Sequence, residues 1–450
     1  MDMATSSTFP LLTHGRGEQV AVWRGHAVDR GSCLAHIRGL AEGLPPAPFA
    51  INLCNDRYAF MVAFAAAMFR GQTTLLPLGR APKLLEELAA DYAGSYCLVD
   101  EPTEIEGIHR HMVRLDESGV SGDEQSVPEI PADLIAAVVF TSGSTGKPNP
   151  NPKRWGDLML GLGLAQRRFE LQNGKREMIL ATIPPQHMYG LEVSVVLPLV
   201  AGLCIHAGQP FFPENIRRAI SALPEPRSMF TTPTHLRACV DSGLQWPRLS
   251  RIVSATAPLS AELAKRAEEM FCCHVMEIYG CTEAGSVATR RTVDGDLWRF
   301  YDGITSHEQD GVVYISGSHL PDPVPLNDFV EVQADSRFKL LGRHADLVNI
   351  AGNRASLSDL NLKLNAIEGV RDGVFIIPDL QVDDDVWRLA ALVVAPDLEK
   401  KEIVAALAER INPVFLPRTL YKVDSLPRNT MGKLPSEVLS QLLERLRNSS

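Results

Sequence analysis

A loop of glycines, hydroxyl side chains and cations follows an apolar run in the sequence VVFTSGSTGKPNPNPKRW, residues 138–155. It suggests a phosphate site, because glycines let backbone N–H groups approach closely and hydroxyls add donors. The mononucleotide P-loop needs four residues between its first glycine and its Gly-Lys pair, but only two separate Gly143 from Gly146. Pro148 also follows Lys147 where that motif has Ser or Thr. The spacing excludes the ordinary NTPase motif and leaves two interpretations, a phosphate-binding loop or a Gly/Ser surface loop.

Three further motifs follow this loop in the chain. They are IYGCTEAG at residues 278–285, LLGRHADLVNIAGNR at 340–354 and LPRNTMGKL at 426–434. In this order the four motifs resemble those of the adenylate-forming superfamily of acyl-CoA synthetases, carrier-protein ligases and luciferases. The resemblance covers nearly the whole chain, and it is specific because four ordered motifs agree. It implies that ATP and Mg²⁺ convert a carboxylate to acyl-AMP with release of pyrophosphate, after which a thiol takes the acyl group.

By this resemblance, the glycine loop would wrap the β- and γ-phosphates of ATP. The residues concerned are Thr141, Ser142, Gly143, Ser144, Thr145, Gly146 and Lys147. The family usually continues with Pro-Lys-Gly, whereas Asn149 and Pro150 follow the proline here. The cation that meets the phosphates is therefore either Lys147 or Lys153, and the sequence leaves both open.

The second motif is implied to lie beside the nucleotide. Tyr279 would stack on adenine, with Gly280 next to it in the chain. Thr282 would touch the α-phosphate. Glu283 would help to hold Mg²⁺, a hard cation that favours oxygen ligands.

Four later residues complete the implied machinery. Asp328, in LNDFVEV, matches the aspartate that takes the ribose hydroxyls, and Arg343 would reach the ribose or phosphate region. Lys433 matches the mobile lysine that bridges the attacking carboxylate and the α-phosphate, neutralising charge as it builds. The resemblance also implies that the small domain rotates between the two half-reactions, with its pivot at Ala345.

Two segments match the walls of the acyl pocket. One is PPQHMYGLEVSVVLPLVAG at residues 184–202, where His187, Tyr189 and Gly190 would line the pocket. The other is SATAPLS at residues 254–260, with Thr256 and Ala257 nearest the carboxylate. These segments predict a partly polar pocket.

The loop sequence also resembles ligases of aryl polyene and xanthomonadin-type pigment pathways, which load a hydroxybenzoate-type starter. A polar pocket would suit the ring hydroxyl of 3- or 4-hydroxybenzoate, whereas a fatty chain would prefer an apolar tunnel. The predicted acceptor is the phosphopantetheine thiol of an acyl carrier protein, because such proteins are usually acidic and basic residues lie in the small domain. These basic residues are Arg410, Arg418, Lys422 and Arg428. A medium-chain fatty acid and an aryl-CoA ligase are the alternatives.

Three other functions are alternatives to adenylation. An inactive nucleotide-binding relative is supported only by the altered lysine motif. An oxidoreductase of the luciferase kind would share the adenylation step, but no residue singles out oxygen chemistry. A phosphotransferase is disfavoured by the loop spacing.

Strand-like apolar runs alternate with helical patterns before the second motif, as expected for parallel strands with helical crossovers in an α/β fold. Strands are predicted at residues 49–54, 73–78, 134–140 and 178–183, with a buried helix at 58–69. The predicted division is a large domain over residues 1–342, of stacked sheets and helices, and a small mobile α+β domain over 343–450. In the small domain, strands are predicted at 373–378 and 388–396, and a helix at 399–410.

The composition is that of an ordinary soluble protein, with 45% hydrophobic and 22% charged residues. The net charge of -10 argues against non-specific binding to nucleic acid or to an anionic membrane surface. No signal peptide or membrane span is predicted, because the apolar stretches fall short of about 20 residues. Eight cysteines without a CxxC pair predict reduced core thiols in a cytoplasmic protein.

Overall fold

Parallel strands and helices alternate through the first 280 residues or so, and antiparallel strands are added at the sheet edges. The computed structural model describes residues 7–103, 105, 107–116, 126–141, 148–171, 177–333, 335–343, 347–350, 353–377, 389–428, 434 and 436–448. The strands are β1 Thr8–Pro10, β2 Gln19–Trp23, β3 His26–Asp29, β4 Phe49–Asn52, β5 Thr73–Leu76, β6 Tyr96–Val99, β7 Arg110–Met112, β8 Glu129–Pro131, β9 Ile135–Thr141, β10 Asn149–Arg154, β11 Met178–Ala181, β12 Cys204–His206, β13 Arg227–Thr231, β14 Arg251–Ser254, β15 His274–Cys281, β16 Gly285–Arg291, β17 Leu297–Phe300, β18 Thr305–Gln309, β19 Val312–Ser316, β20 Val324–Pro325, β21 Asp328–Val332, β22 Arg337–Arg343, β23 Leu347–Ile350, β24 Asn353–Ser356, β25 Asp372–Ile376, β26 Ala390–Val394 and β27 Thr419–Lys422.

The helices lie between these strands and after them. They are α1 Arg30–Gly43, α2 Arg57–Phe69, α3 Pro82–Asp91, α4 Trp155–Arg168, α5 Met188–Leu191, α6 Leu197–Ala201, α7 Pro213–Ala222, α8 Pro233–Asp241, α9 Ala261–Phe271, α10 Leu357–Asn365, α11 Lys400–Ala408 and α12 Ser436–Asn448. A π-helix, Glu192–Val196, joins α5 to α6. Short 3-10 helices occupy Thr292–Asp294 and Pro413–Phe415.

Two large sheets form the scaffold. One has the order β10-β9-β5-β4-β6-β7, and the other has the order β21-β22-β17-β16-β15-β14-β13-β11-β12-β2-β3. In the second sheet the run from β2 to β15 is parallel, as the alternating pattern predicts, whereas β3, β16, β17, β21 and β22 are antiparallel additions. Strands β9 and β10 pair antiparallel on either side of the glycine loop.

The predicted buried helix is confirmed as α2. It begins after Asp56, whose carboxylate accepts a hydrogen bond from the backbone N–H of Ala59, a typical N-cap. All but the last of its residues are buried, including Arg57 at its first position. Because apolar residues surround the whole helix, α2 packs between neighbouring elements and not on the surface.

The C-terminal part has sheets and apolar clusters of its own. Strand β26 pairs antiparallel with β25 and parallel with β27, and α10 to α12 accompany them. The side chain of Arg237 on α8 reaches across to this part and donates to the Asn365 carbonyl (3.4 Å). The predicted boundary at residue 343 adjoins residues 344–346, which lie outside the described chain, so the two-domain division stays a prediction.

The cysteines agree with the prediction of core thiols in most cases. None of the eight forms a disulfide, and six of them are buried, whereas Cys272 is exposed and Cys281 half-buried. None of the helices in the described ranges is long and apolar enough to span a bilayer.

Candidate active site

The IYGCTEAG motif folds as the hairpin of β15 and β16. Cys281 pairs with Gly285, so Thr282, Glu283 and Ala284 form the turn. Gly285 has a φ of 73°, in the left-handed region that glycine adopts at little cost. A Cβ on Gly280 would lie 2.3 Å from the Gly285 carbonyl oxygen. Gly280, which is predicted to lie beside the nucleotide, must therefore be glycine for the hairpin to form. The turn presents the exposed side chain of Glu283 and the half-buried one of Thr282.

Two predicted nucleotide-binding side chains meet beside this hairpin. The Tyr279 hydroxyl donates to Asp328 Oδ2 at 2.7 Å. The Tyr279 ring packs against Trp298 and Phe338, at centroid distances of 5.7 and 5.4 Å. Asp328 lies opposite Arg343 in the register of β21 and β22. The fold therefore brings together three positions that lie in separate motifs of the sequence.

Lys153 lies behind the turn of the hairpin. Its side chain is 8% exposed, and its Nζ donates to the Glu283 carbonyl at 2.8 Å. Burial lowers the pKa of this ammonium, and the nearby acidic groups, Glu192 foremost, oppose that shift. Of the two lysines considered for the phosphates, Lys153 thus has its ammonium engaged at the turn, while Lys147 lies outside the described residues.

Glu192 approaches the same hairpin from the π-helix. Its carboxylate accepts hydrogen bonds from the backbone N–H (3.0 Å) and hydroxyl (3.4 Å) of Ser286. Burial raises its pKa to about 7, although the Ser286 bonds and Lys153 oppose the shift. π-Helical turns are uncommon and often occur at functional sites. Sequence reasoning missed Glu192, and the available signal was a single acid within an apolar run.

This raised pKa predicts a pH-dependent stability. The native pKa of Glu192 lies above its ordinary value of 4.5, so the folded state holds the proton more tightly than the unfolded state. The stability that this provides is complete below about pH 4.5 and is lost as the pH rises through about 7. We expect Glu192→Gln to match the wild type near pH 4 and to exceed its stability by roughly 3 kcal/mol at pH 8.5.

Thermal unfolding of both proteins at several pH values measures this difference. Lys153, Tyr189 and Tyr301 are the titratable groups that interact with the Glu192 carboxylate in the described structure, and all are retained in the variant. Glu269→Gln, at an exposed position, is the control and should show no such pH-dependent gain. A Glu192→Gln difference that stays constant between pH 4 and 8.5 would contradict the prediction.

The first predicted acyl wall is packed tightly. His187 occupies the N-cap position of α5, where its side chain makes no capping hydrogen bond, and it is half-buried. Tyr189 is buried, and its hydroxyl donates to the Val253 carbonyl at 3.0 Å, so it could only accept a hydrogen bond from a substrate hydroxyl. Gly190 has a packing role, because a Cβ there would lie 1.9 Å from the Pro184 carbonyl oxygen.

Arg57 connects this predicted acyl wall to the region of β11 by hydrogen bonds. Its guanidinium donates to the carbonyls of Ala181 (2.9 Å) and Ile183 (3.0 Å) and to the Ser194 hydroxyl. Ser194 in turn donates to the Gly190 carbonyl at 2.6 Å. Burial lowers the Arg57 pKa to about 9, which still leaves it charged at neutral pH. Sequence reasoning missed this residue too, although a cation at the start of an apolar helix was visible.

The opposite predicted wall contains backbone strain. Thr256 has a φ of 80°, which is an outlier for a β-branched residue, and it follows directly after β14 and Ala255. Such conformations cost on the order of 1–3 kcal/mol and cluster at ligand sites. Both Thr256 and Ala257 are half-buried. The strain agrees with a binding role but does not by itself assign one.

Other predicted site residues lie outside the described structure. They are Ser142, Gly143, Ser144, Thr145, Gly146, Lys147, Lys433 and the pivot Ala345. Thr141, at the end of β9, is described; its hydroxyl accepts a hydrogen bond from the Asn151 amide at 3.4 Å. Arg343 ends β22, so its backbone position is known.

The residues present fit a magnesium ion that is bound together with phosphates. Within the described ranges, no group of three or more His, Cys, Asp or Glu residues could hold a metal by itself. Mg²⁺ usually binds through one or two carboxylates plus substrate phosphates and water. The exposed carboxylate of Glu283 would supply that kind of ligand. It lies on a turn whose backbone carbonyl is held by Lys153.

The basic residues predicted to form a docking face are partly neutralised. Arg428 makes a two-pronged ion pair with Asp372, with N–O distances of 2.6 and 2.7 Å. Lys422 donates to the Leu398 carbonyl at 2.6 Å, and Arg410 donates to the Ala406 carbonyl. The ion pair of Arg428 weakens the charge argument for an acidic carrier protein, whereas the carbonyl contacts leave the charges of Lys422 and Arg410 in place.

Comparison with known proteins identifies the family. Residues 49–305, more than half of the chain, match the family model described as AMP-binding enzyme. The chain belongs to the AMP-binding enzyme family.

The relatives and solved structures agree with this assignment. The chain is 26% identical to 4-coumarate–CoA ligase of Rhodobacter capsulatus over 53% of its own length and 60% of that enzyme. It is 24% identical to bacitracin synthase 3 of Bacillus licheniformis over 87% of its own length and 7% of that protein. The chain thus matches less than two thirds of the length of either relative.

Two solved structures resemble this chain over almost the whole length of both proteins. ATP-bound MatB from Rhodopseudomonas palustris has a TM-score of 0.80 at 18% identity over 96% of each chain. O-succinylbenzoate coenzyme A synthetase (MenE) from Bacillus subtilis, in complex with ATP and magnesium, has a TM-score of 0.78 at 17% identity over 93% of this chain and 95% of that one. At these identities the likeness shows the fold, which confirms the predicted α/β adenylate-forming architecture.

Proposed function

We propose that the chain activates a carboxylic acid with ATP to an acyl-adenylate, with release of pyrophosphate, and then transfers the acyl group to a thiol. The observation that carries this proposal is the contact of Tyr279 with Asp328 beside the turn of Thr282 and Glu283. These four polar positions come from two motifs that are about 45 residues apart in the sequence, and three of them, Tyr279, Thr282 and Glu283, lie within the part of the chain that matches the AMP-binding enzyme family. Such convergence of polar side chains is expected of a nucleotide site.

Each residue has a distinct task in this reaction. Tyr279 and Asp328 bind the adenosine, and Thr282 donates to the α-phosphate. Glu283 holds Mg²⁺, which supplies charge neutralisation at the phosphates when it is bound. Lys433 stabilises the charge that develops as the carboxylate attacks the α-phosphate.

Acid-dependent exchange of labelled pyrophosphate into ATP tests the proposal. We expect exchange that requires both Mg²⁺ and an acid from a panel of benzoates, cinnamates and fatty acids. An inactive nucleotide-binding relative would bind ATP without exchange, and a phosphotransferase would release ADP. Absence of exchange with every acid would refute the adenylation reaction.

We further propose that the acid is a 3- or 4-hydroxybenzoate-type aryl acid. The half-buried His187 on one predicted wall offers a polar side chain to a ring hydroxyl. The names of 4-coumarate–CoA ligase and O-succinylbenzoate coenzyme A synthetase, both similar to this chain, also specify aryl acids. A medium-chain fatty acid is the alternative.

Competition between acids in one assay measures the preference. We expect hydroxybenzoate to exceed octanoate in kcat/KM. Benzoate should be poorer than its hydroxylated form by about ten-fold or more, because a missing hydroxyl leaves a buried polar group unpaired. Octanoate giving the highest kcat/KM would refute the aryl proposal.

The proposed acceptor is a phosphopantetheine thiol, which both coenzyme A and acyl carrier proteins possess. The carrier protein was predicted from basic residues, of which Arg428 proves to be paired with Asp372. Two similar enzymes are named as coenzyme A ligases. Parallel transfer assays with coenzyme A and with a phosphopantetheinylated carrier protein separate the two acceptors.

A further inference from the structure

The turn that carries Thr282 and Glu283 is held from outside its own hairpin. Lys153, on β10 of the other large sheet, contacts the carbonyl of Glu283. Glu192, on the π-helix, contacts the backbone N–H of Ser286, two residues beyond the turn. Two side chains from two separate elements therefore hold this turn, Lys153 at its middle residue and Glu192 at the strand that leaves it.

Lys153 is an unusual residue for this location. A buried ammonium is costly unless it is hydrogen-bonded and its charge is compensated. An apolar side chain could fill the same space without that cost. The retained ammonium places a donor on one particular carbonyl, that of the residue whose carboxylate is proposed to bind the metal.

Glu192 makes an equally specific contact with the start of β16. A Cβ on Gly285 would lie 2.6 Å from Glu192 Oε1, so the carboxylate occupies the space next to this glycine. Ser286 adds its hydroxyl to the backbone donor. The carboxylate also lies close enough to Lys153 to interact with it electrostatically. The two side chains thus act on the turn as one buried polar unit.

We infer that Lys153 and Glu192 are positioning residues that hold the 282–284 turn so that the Glu283 carboxylate faces the metal–nucleotide complex. This inference rests on the proposed function, because it assumes that Glu283 binds Mg²⁺ with the phosphates. In this inference, Lys153 positions the backbone of the metal ligand Glu283 and does not contact the phosphates. Neither residue touches the reacting atoms in this account.

Calorimetric titration with α,β-methylene ATP, with and without Mg²⁺, tests the inference without turnover. Mg²⁺ should increase the affinity of the wild type, and Lys153→Met should lose about ten-fold of that increase, as outer-shell changes at metal sites usually cost 10–100-fold. Affinity without Mg²⁺ should be unchanged. Arg154→Met, at the adjacent exposed position of the same strand, is the matched control and should behave as the wild type.

Two substitutions of Glu192 test its contact with Ser286. Glu192→Gln keeps an acceptor for the Ser286 N–H and should retain most of the magnesium effect. Glu192→Met removes the acceptor and should lose about as much as Lys153→Met, again about ten-fold. A magnesium effect equal to that of the wild type in both methionine variants would overturn the inference.

The remaining outcomes are also decisive. Equal weakening of binding with and without Mg²⁺, or loss of the metal-free binding through misfolding, would show that the two residues only maintain the fold and would overturn the positioning role. A wild type that does not bind the analogue at all would instead refute the proposed function. The wild-type titration alone therefore distinguishes failure of the function from failure of the inference.

Discussion

Replacing Gly190 by alanine is expected to lower the free energy of unfolding of the proposed large domain by about 3 kcal/mol or more. This value lies at the upper end of the range for overpacking. The added methyl carbon would lie 1.9 Å from the carbonyl oxygen and 2.7 Å from the carbonyl carbon of Pro184. These atoms belong to the backbone, so no side-chain rotation relieves the contact. The segment between Pro184 and α5 would have to move, and it carries His187.

Thermal unfolding and the acid KM together measure the effect. Gly163→Ala, inside α4, is the control, because its Cβ would meet only the end of the Arg167 side chain at 3.9 Å. It should stabilise the helix by about 0.5–1 kcal/mol. Two variants with the same unfolding temperature would contradict the packing argument at Gly190.

The second large effect is expected from Lys433→Ala. An ammonium above the acid neutralises charge as the carboxylate attacks the α-phosphate, and one well-placed donor is commonly worth roughly 10²–10³ in rate. Acyl-AMP formation should fall by about that factor. Thioester formation from supplied acyl-AMP should barely change, because rotation of the proposed small domain about Ala345 then removes the lysine from the site.

Single-turnover assays of each half-reaction separate these effects. Lys401→Ala, at an exposed position on α11, should leave both steps unchanged. Ala345→Pro should have the opposite effect to Lys433→Ala if it holds the small domain in the orientation used for adenylation, since proline fixes φ. Acyl-AMP formation would then be retained, and thioester formation from supplied acyl-AMP would fall. Equal loss of both steps in Lys433→Ala would mean that the lysine supports the fold or that the small domain does not alternate.

The sequence predicted the parallel strands and α2 well, because continuous apolar runs between turn residues are a strong local signal. The antiparallel strands β16, β17, β21 and β22 were not predicted, since their pairing depends on distant partners, and all but the largely buried β16 are also partly exposed. Motif order also placed Tyr279 and Asp328 in one site, and the structure joins them by a hydrogen bond.

The supporting residues of the site could not be predicted in the same way. Lys153 and the Glu283 carbonyl are separated by 130 positions, so no spacing rule connects them. Arg57 and Glu192 interrupt apolar runs, which indicates that each has a buried partner, but only the folded chain shows which one. The motif predicted that Tyr189 lines the acyl pocket. In the structure its hydroxyl donates a hydrogen bond to the Val253 carbonyl.

The most direct test of the central claim is to follow ATP labelled at the α-phosphate, in the presence of Mg²⁺ and 4-hydroxybenzoate and in the absence of any thiol. The account predicts that label appears in acyl-AMP bound to the protein, with one pyrophosphate released for each, and that Glu283→Gln lowers this yield in a single turnover. Label in ADP, or no acid-dependent product across the panel of acids, would contradict it.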